Sequence, residues 1–174
     1  MSANAKAQTI LQELSFDFTA FTMDGFLHAV REKKGREIIT IPWDMPSALF
    51  GAWISDGDKP REYIFYRNDV LEAHQIHIQL HELSHFLFGH STLSVNQQKI
   101  SKVVAGISSL PFVELPRLRA SSSKSVAALE TEAEVLANLI QEKAIQNSKI
   151  DLLIHNTQNE EKLARFLKGM GHNE

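Results

Sequence analysis

Two histidines four residues apart, with a glutamate beside the first, are the residues of this chain best suited to chemistry: His81-Glu82-Leu83-Ser84-His85. The pentapeptide reads H-E-x-x-H within an apolar run, Ile78 to Phe88, that can carry it as a helix. An α-helix turns about 100° per residue, so positions i and i+4 lie one above the other on a single face. His81 and His85 can therefore aim two imidazoles at one metal ion. Glu82 points to the side, close enough to take a proton from a water molecule. Leu83, Phe86, Leu87 and Phe88 predict that the helix is largely buried. Two buried histidines on one face need polar partners, and a metal supplies one. Gly89 then offers a helix stop. The chemistry that these residue types and this spacing fit is metal-assisted hydrolysis.

Zinc in a hydrolytic site usually takes three protein ligands and leaves the fourth position to water. The chain has no cysteine, which excludes a thiolate and directs the search to a downstream His, Asp or Glu. The segment Ala127 to Gln146 is rich in Ala, Leu, Glu and Lys, has no Gly or Pro, and predicts a helix. Glu130, Ala133, Glu134 and Ala137 share one of its faces, and the two alanines allow close approach to the H-E-x-x-H helix. On this reading Glu130 is the third zinc ligand. Glu134, one turn later, is expected to hydrogen-bond the second ring nitrogen of a ligand histidine, which fixes its tautomer. Glu132 points elsewhere and is expected to be solvated. An acidic helix start that complements the helix dipole is the plain alternative for all three acids.

Three other histidines surround the motif. His90 follows His85 by five residues, and the H-E-x-x-H-x-x-G-x-x-H pattern that would recruit a third histidine needs other offsets. His90 is therefore read as a polar residue at the helix end. His74 and His77 precede the motif, and His77 lies one turn before His81. His77 can line the cleft, support a ligand from behind, or simply be an accommodated neighbour.

HQIHIQLHELSHFLFGH (His74 to His90), followed some forty residues later by ETEAEVLANLI (Glu130 to Ile140), resembles the ImmA/IrrE family of bacterial and phage zinc metallopeptidases. Members carry H-E-x-x-H and then a helix with a Glu, a small residue three further on and an apolar-Ala pair; Glu130, Ala133, Leu136 and Ala137 fit. The resemblance covers roughly Ile39 to Ile140. It implies a compact zincin-like domain of the mini-gluzincin kind: an α+β fold with a small, mainly three-stranded sheet packed on the H-E-x-x-H helix and on a second ligand-bearing helix. It also implies a zinc-dependent endopeptidase that cleaves or inactivates a separate helix-turn-helix repressor or antitoxin, controlling a mobile element or stress response. Two positions depart from the pattern: Ser84 stands where many members have Gly, and Glu134 where many have Asn. Neither removes a ligand. A zinc-binding module that sequesters such a partner without cutting it, and the toxin half of a toxin–antitoxin pair, are the competing readings.

The 174 residues suit one domain with a sizeable core: a central part over 36–146, N-terminal helices over 3–34 and a C-terminal helix over 158–169. A net charge of −3 and a pI near 6.2 carry no general nucleic-acid footprint, so no direct nucleic-acid binding is expected. No apolar run is long enough for a membrane span, and the N-terminus lacks the apolar core of a signal peptide. A cytoplasmic protein away from membranes is the expectation.

The remaining signals place the elements that must hold the site. Ala3 to Leu14 predicts a helix, and Thr22 caps a second, Met23 to Lys34, stopped by Gly35. Arg36 to Ile41, Leu49 to Ser55 and Glu62 to Arg67 are strand candidates, the last two separated by turn signals at Asp56-Gly57-Asp58 and Pro60. Glu62 to Arg67 is a candidate sheet edge for an added substrate strand; a sheet that only covers the helices is the alternative. Tyr63 or Tyr66 could face a developing oxyanion, though core or surface roles suit both. Gln97 to Ile107 can be helical. The segment Ser91 to Val126 as a whole, rich in chain breakers after that helix, is a candidate lid or docking surface. A break from Asn147 is expected to precede the last helix, with Leu163, Phe166 and Leu167 inward.

Overall fold

Periodic apolar residues and β-branched runs resolve, in a computed structural model, into five helices and four strands among the described residues. The structure describes residues 1–46, 49–105 and 125–170, with side chains as far as residue 148. In chain order the elements are α1 (Ala3–Leu14), α2 (Met23–Lys34), β1 (Glu37–Trp43), β2 (Gly51–Asp56), β3 (Arg61–Arg67), α3 (Glu72–Leu87), β4 (Leu93–Val95), α4 (Gln97–Val104) and α5 (Val126–Met170). This is an α+β arrangement.

The local signals act as expected at the helix ends. The Ser2 side chain caps α1 and Thr22 Oγ1 accepts from Gly25 N at 3.1 Å to cap α2. Gly35 closes α2 at φ 62°, in the left-handed region where a Cβ is costly. The β2–β3 turn is held by Asp56, whose Oδ1 accepts from Asp58 N at 2.9 Å and Lys59 N at 3.2 Å.

The sheet is mixed, in the order β1-β3-β2-β4. β3 runs parallel to β1, pairing Ile39 with Tyr63, and antiparallel to β2, pairing Trp53 with Ile64. β4 lies parallel to β2 and pairs Ile54 with Leu93. Two expectations are corrected here. The sheet has four strands and not three; β4 is three residues long, too short to show an alternating pattern. Glu62 to Arg67 is no edge either, because β3 is paired on both sides.

Strand alternation gives the sheet two apolar faces. Ile38 and Ile64 face a core built with Phe26 and Leu27 of α2, Leu80 and Leu83 of α3, and Leu136 and Ile140 of α5. Ala52, Ile54, Tyr63 and Phe65 face the other way and pack with Ile100 and Val103 of α4. Tyr63 therefore lies on the sheet face opposite α3, which removes it as a candidate for the oxyanion.

α5 is a continuous backbone helix of 45 residues, and the expected break at Asn147 is not there. Asn147 Nδ2 donates to Lys143 O at 2.8 Å and Ser148 Oγ to Ala144 O at 2.9 Å, so both side chains bond back onto the helix. Without Gly or Pro, two weak helix formers do not end it. The inward placement expected for Leu163, Phe166 and Leu167, and residues 106–124 of the candidate lid Ser91 to Val126, lie outside what is described. No helix of the described residues is long and apolar enough to cross a membrane.

Candidate metal centre

α3 supplies the H-E-x-x-H residues and packs between the sheet and α5. Leu80, Leu83 and Leu87 fill the core on one side, while His81 and His85 face α5. Ala133 and Ala137 are fully buried, and these small side chains let α5 come close enough for Glu130 to reach both histidines. Ser84 is also fully buried; its hydroxyl donates to Leu80 O at 2.7 Å, so the serine costs no unsatisfied polar group.

Three donor atoms converge. Glu130 Oε2 lies 3.1 Å from His81 Nε2 and 3.6 Å from His85 Nε2, and the two ring nitrogens are 3.2 Å apart. One ligand atom from each of His81, His85 and Glu130 falls within 4.8 Å of the others. Four-coordinate zinc, with bonds of about 2.0–2.1 Å, sets its ligand atoms about 3.3–3.4 Å apart. The spacings match that edge length, and two imidazoles with one carboxylate form a set that a divalent cation of this kind accepts. The residues present therefore fit a zinc ion.

A carboxylate supports the outer nitrogen of His81: Glu134 Oε2 lies 3.2 Å from Nδ1. The same oxygen is 3.3 Å from His77 Nε2, and His77 Nδ1 meets Gln141 Oε1 at 3.0 Å. Asn138 Nδ2 donates to the other Glu134 oxygen at 3.0 Å. His77 thus joins the group through Glu134. Burial works against a charge on His81, but Glu130 together with Glu82 and Glu134 outweighs it and holds the imidazole pKa above its ordinary value. Burial likewise pushes Glu134 up, while His77, Asn138 and His81 together hold its carboxyl below the usual range.

Glu82 is buried, and its position is set by β2. Trp53 N–H donates to Glu82 Oε2 at 3.0 Å. Gly51 makes the close approach of α3 possible: a Cβ there would lie 2.7 Å from Ile78 Cγ2 and 2.8 Å from Glu82 Cγ. Trp53 is itself held by its indole N–H, which donates to the buried Glu62 at 2.6 Å. Sequence reasoning did not identify Gly51 or Trp53 as relevant to the site, since neither carries a motif.

Two expectations fail at the back of the site. Glu132 is buried, not solvated: Lys6 Nζ reaches one oxygen at 2.5 Å and His90 Nε2 the other at 3.0 Å. His90 is no simple helix-end residue, because it is 6% exposed and its Nδ1 lies 2.8 Å from His85 Nδ1. The available sequence signal was Gly89 followed by a polar residue. Gly89 adopts φ +66°, Gly89 N donates to Phe86 O and His90 N to His85 O, both at 3.0 Å, and this helix-end motif turns His90 back against its own helix.

No protein-family model, curated protein or solved structure matches the chain.

Proposed function

We propose that this chain is a zinc-dependent endopeptidase of the zincin-like, mini-gluzincin kind, in which His81, His85 and Glu130 hold the metal and Glu82 is the general base. The observation that carries the reading is the convergence of those three donor atoms beside a buried carboxylate fixed by a backbone N–H. The resemblance of His74 to His90 and Glu130 to Ile140 to ImmA/IrrE metallopeptidases supports it. A bound zinc supplies Lewis acidity, polarising a carbonyl and lowering the pKa of water from about 15.7 toward about 7. Glu82 accepts the proton of the attacking water and delivers it to the amide nitrogen as the C–N bond breaks. Trp53 N–H orients the carboxylate for both transfers. Glu134 holds His81 in the tautomer that turns Nε2 toward the metal.

The substrate class proposed is a separate helix-turn-helix repressor or antitoxin, met in the cytoplasm. The test has two stages. Elemental analysis of the purified wild type is expected to give about one zinc per chain, lost or much weakened in Glu130→Ala. Incubation with a helix-turn-helix protein encoded beside it is expected to produce a zinc-dependent fragment. Glu82→Gln is expected to retain zinc and slow cleavage by about 10²–10⁴-fold. A wild type that takes up no zinc would overturn the site, and equal cleavage by Glu82→Gln would overturn the mechanism. Partner release without a fragment would instead favour a sequestering module.

A further inference from the structure

We propose that His90, Glu132 and Lys6 are positioning residues for the metal centre: a hydrogen-bonded chain that selects the ring tautomer of His85 and ties it to the first helix. The inference rests on the reading of His81, His85 and Glu130 as a zinc site and extends it to residues from distant parts of the sequence.

The chain runs from the surface inward. Lys6 Nζ, on α1, lies 2.5 Å from Glu132 Oε1 on α5. Glu132 Oε2 lies 3.0 Å from His90 Nε2, just past α3, and His90 Nδ1 lies 2.8 Å from His85 Nδ1. His85 is 0% exposed, His90 6% and Glu132 7%, whereas the Lys6 side chain is 37% exposed. The ring of Phe88 stacks on His90 at 5.3 Å between centroids, with 8° between the planes. Buried polar groups joined this way restrict one another, because each link needs one donor and one acceptor.

For a neutral His90, those requirements give the chain one direction. The Glu132 carboxylate, beside the Lys6 ammonium, only accepts. The proton between Glu132 and His90 therefore sits on His90 Nε2. With His90 neutral, its unprotonated Nδ1 faces His85, and the proton in that link belongs to His85 Nδ1. The lone pair of His85 is thereby placed on Nε2, the atom that faces His81 Nε2 and Glu130 Oε2. Reversing the chain would put a proton on His85 Nε2 and block it as a ligand. Glu134 does for His81 directly what Glu132 does for His85 through an intervening imidazole.

Glu132→Gln tests the direction because it keeps the shape. Lys6 would hold the amide oxygen, turning the amide NH₂ toward His90 Nε2 and reversing every link. Zinc affinity, measured on the full chain by competition with a chromophoric chelator, is expected to fall by about 10–100-fold. Adding Lys6→Met frees the amide to turn its oxygen toward His90, and is expected to recover most of that loss. A purely structural role would lower the thermal midpoint of the metal-free protein and leave zinc affinity unchanged. An unchanged affinity in a folded Glu132→Gln variant overturns the proposal, as does a double variant no better than the single one. Nitrogen NMR of the zinc-loaded wild type needs no variant: His90 is expected as the Nε2–H tautomer and His85 as Nδ1–H. Finding His90 as Nδ1–H overturns the chain while leaving the zinc site intact. A wild type that binds no zinc overturns both.

Discussion

Each candidate ligand histidine packs against a partner that settles what its second nitrogen does. His81 turns Nδ1 to Glu134, and His85 turns Nδ1 to His90. This leaves both Nε2 atoms facing Glu130. The raised pKa of His81 gives the metal-free protein a testable pH dependence. A folded pKa above the unfolded value means that His81 stabilises the fold fully below the unfolded pKa, about 6.5, and that this contribution is lost as pH rises through the folded pKa. The difference in thermal midpoint between metal-free wild type and metal-free His81→Ala is therefore expected to shrink on going from acid to mildly alkaline buffer. A difference independent of pH would contradict the assignment. Zinc needs the neutral imidazole, so its affinity is expected to weaken as pH falls across the same range.

Among the elements, α3 and β2 set the position of Glu82, the proposed general base, and their contact depends on a residue with no side chain. Gly51 lies against Ile78 and Glu82, at distances that a methyl group cannot occupy without displacing one of them. Gly51→Ala is expected to destabilise the fold by about 1–3 kcal/mol through overpacking, measured by denaturant unfolding. It is also expected to disturb Glu82 more than the proposed metal ligands, so zinc stoichiometry should outlast activity. An alanine variant as stable and active as wild type would show that α3 has room to move away from β2. The α3–α5 contact follows the same logic, with Ala133 and Ala137 as the small residues that bring Glu130 and Glu134 to the histidines.

For the whole molecule, the site lies where three units of the fold meet: the sheet behind Glu82, α3 in the middle and α5 across it. α1 adds a fourth contact through Lys6. A ligand bound by α3 and α5 together favours the folded state over the unfolded one. Zinc at a hundred times its dissociation constant is expected to add about 2.7 kcal/mol, which for a chain of this size raises the thermal midpoint by about 5–10 °C. Excess chelator is expected to reverse the rise, and Glu130→Ala to show little of it. A wild-type midpoint indifferent to zinc would mean that the two helices do not share a metal.

The parts legible in the sequence were those controlled over a few residues. The 3.6-residue period placed His81 over His85, and Glu130, Ala133, Glu134 and Ala137 on one face. Capping chemistry marked Thr22, Gly35 and Gly89, and side-chain hydrogen bonding marked the turn at Asp56. Periodicity says which residues share a face; it does not say how many faces a helix buries. α5 meets both α3 and α1, so Glu132, off the ligand face, is buried as well. The links from Lys6 and His90 to Glu132 span 126 and 42 residues of chain, beyond any local rule. Strand order has the same character: the strands around β3 were visible singly, but its central place follows from the parallel crossover of β1 beside it, and β4 is recruited only by pairing with β2. The sequence by itself thus determined the candidate donor residues and the helices that carry them. The tertiary structure alone decided which carboxylate stands behind which histidine, and which backbone N–H holds Glu82, because those contacts arise only when separate elements pack.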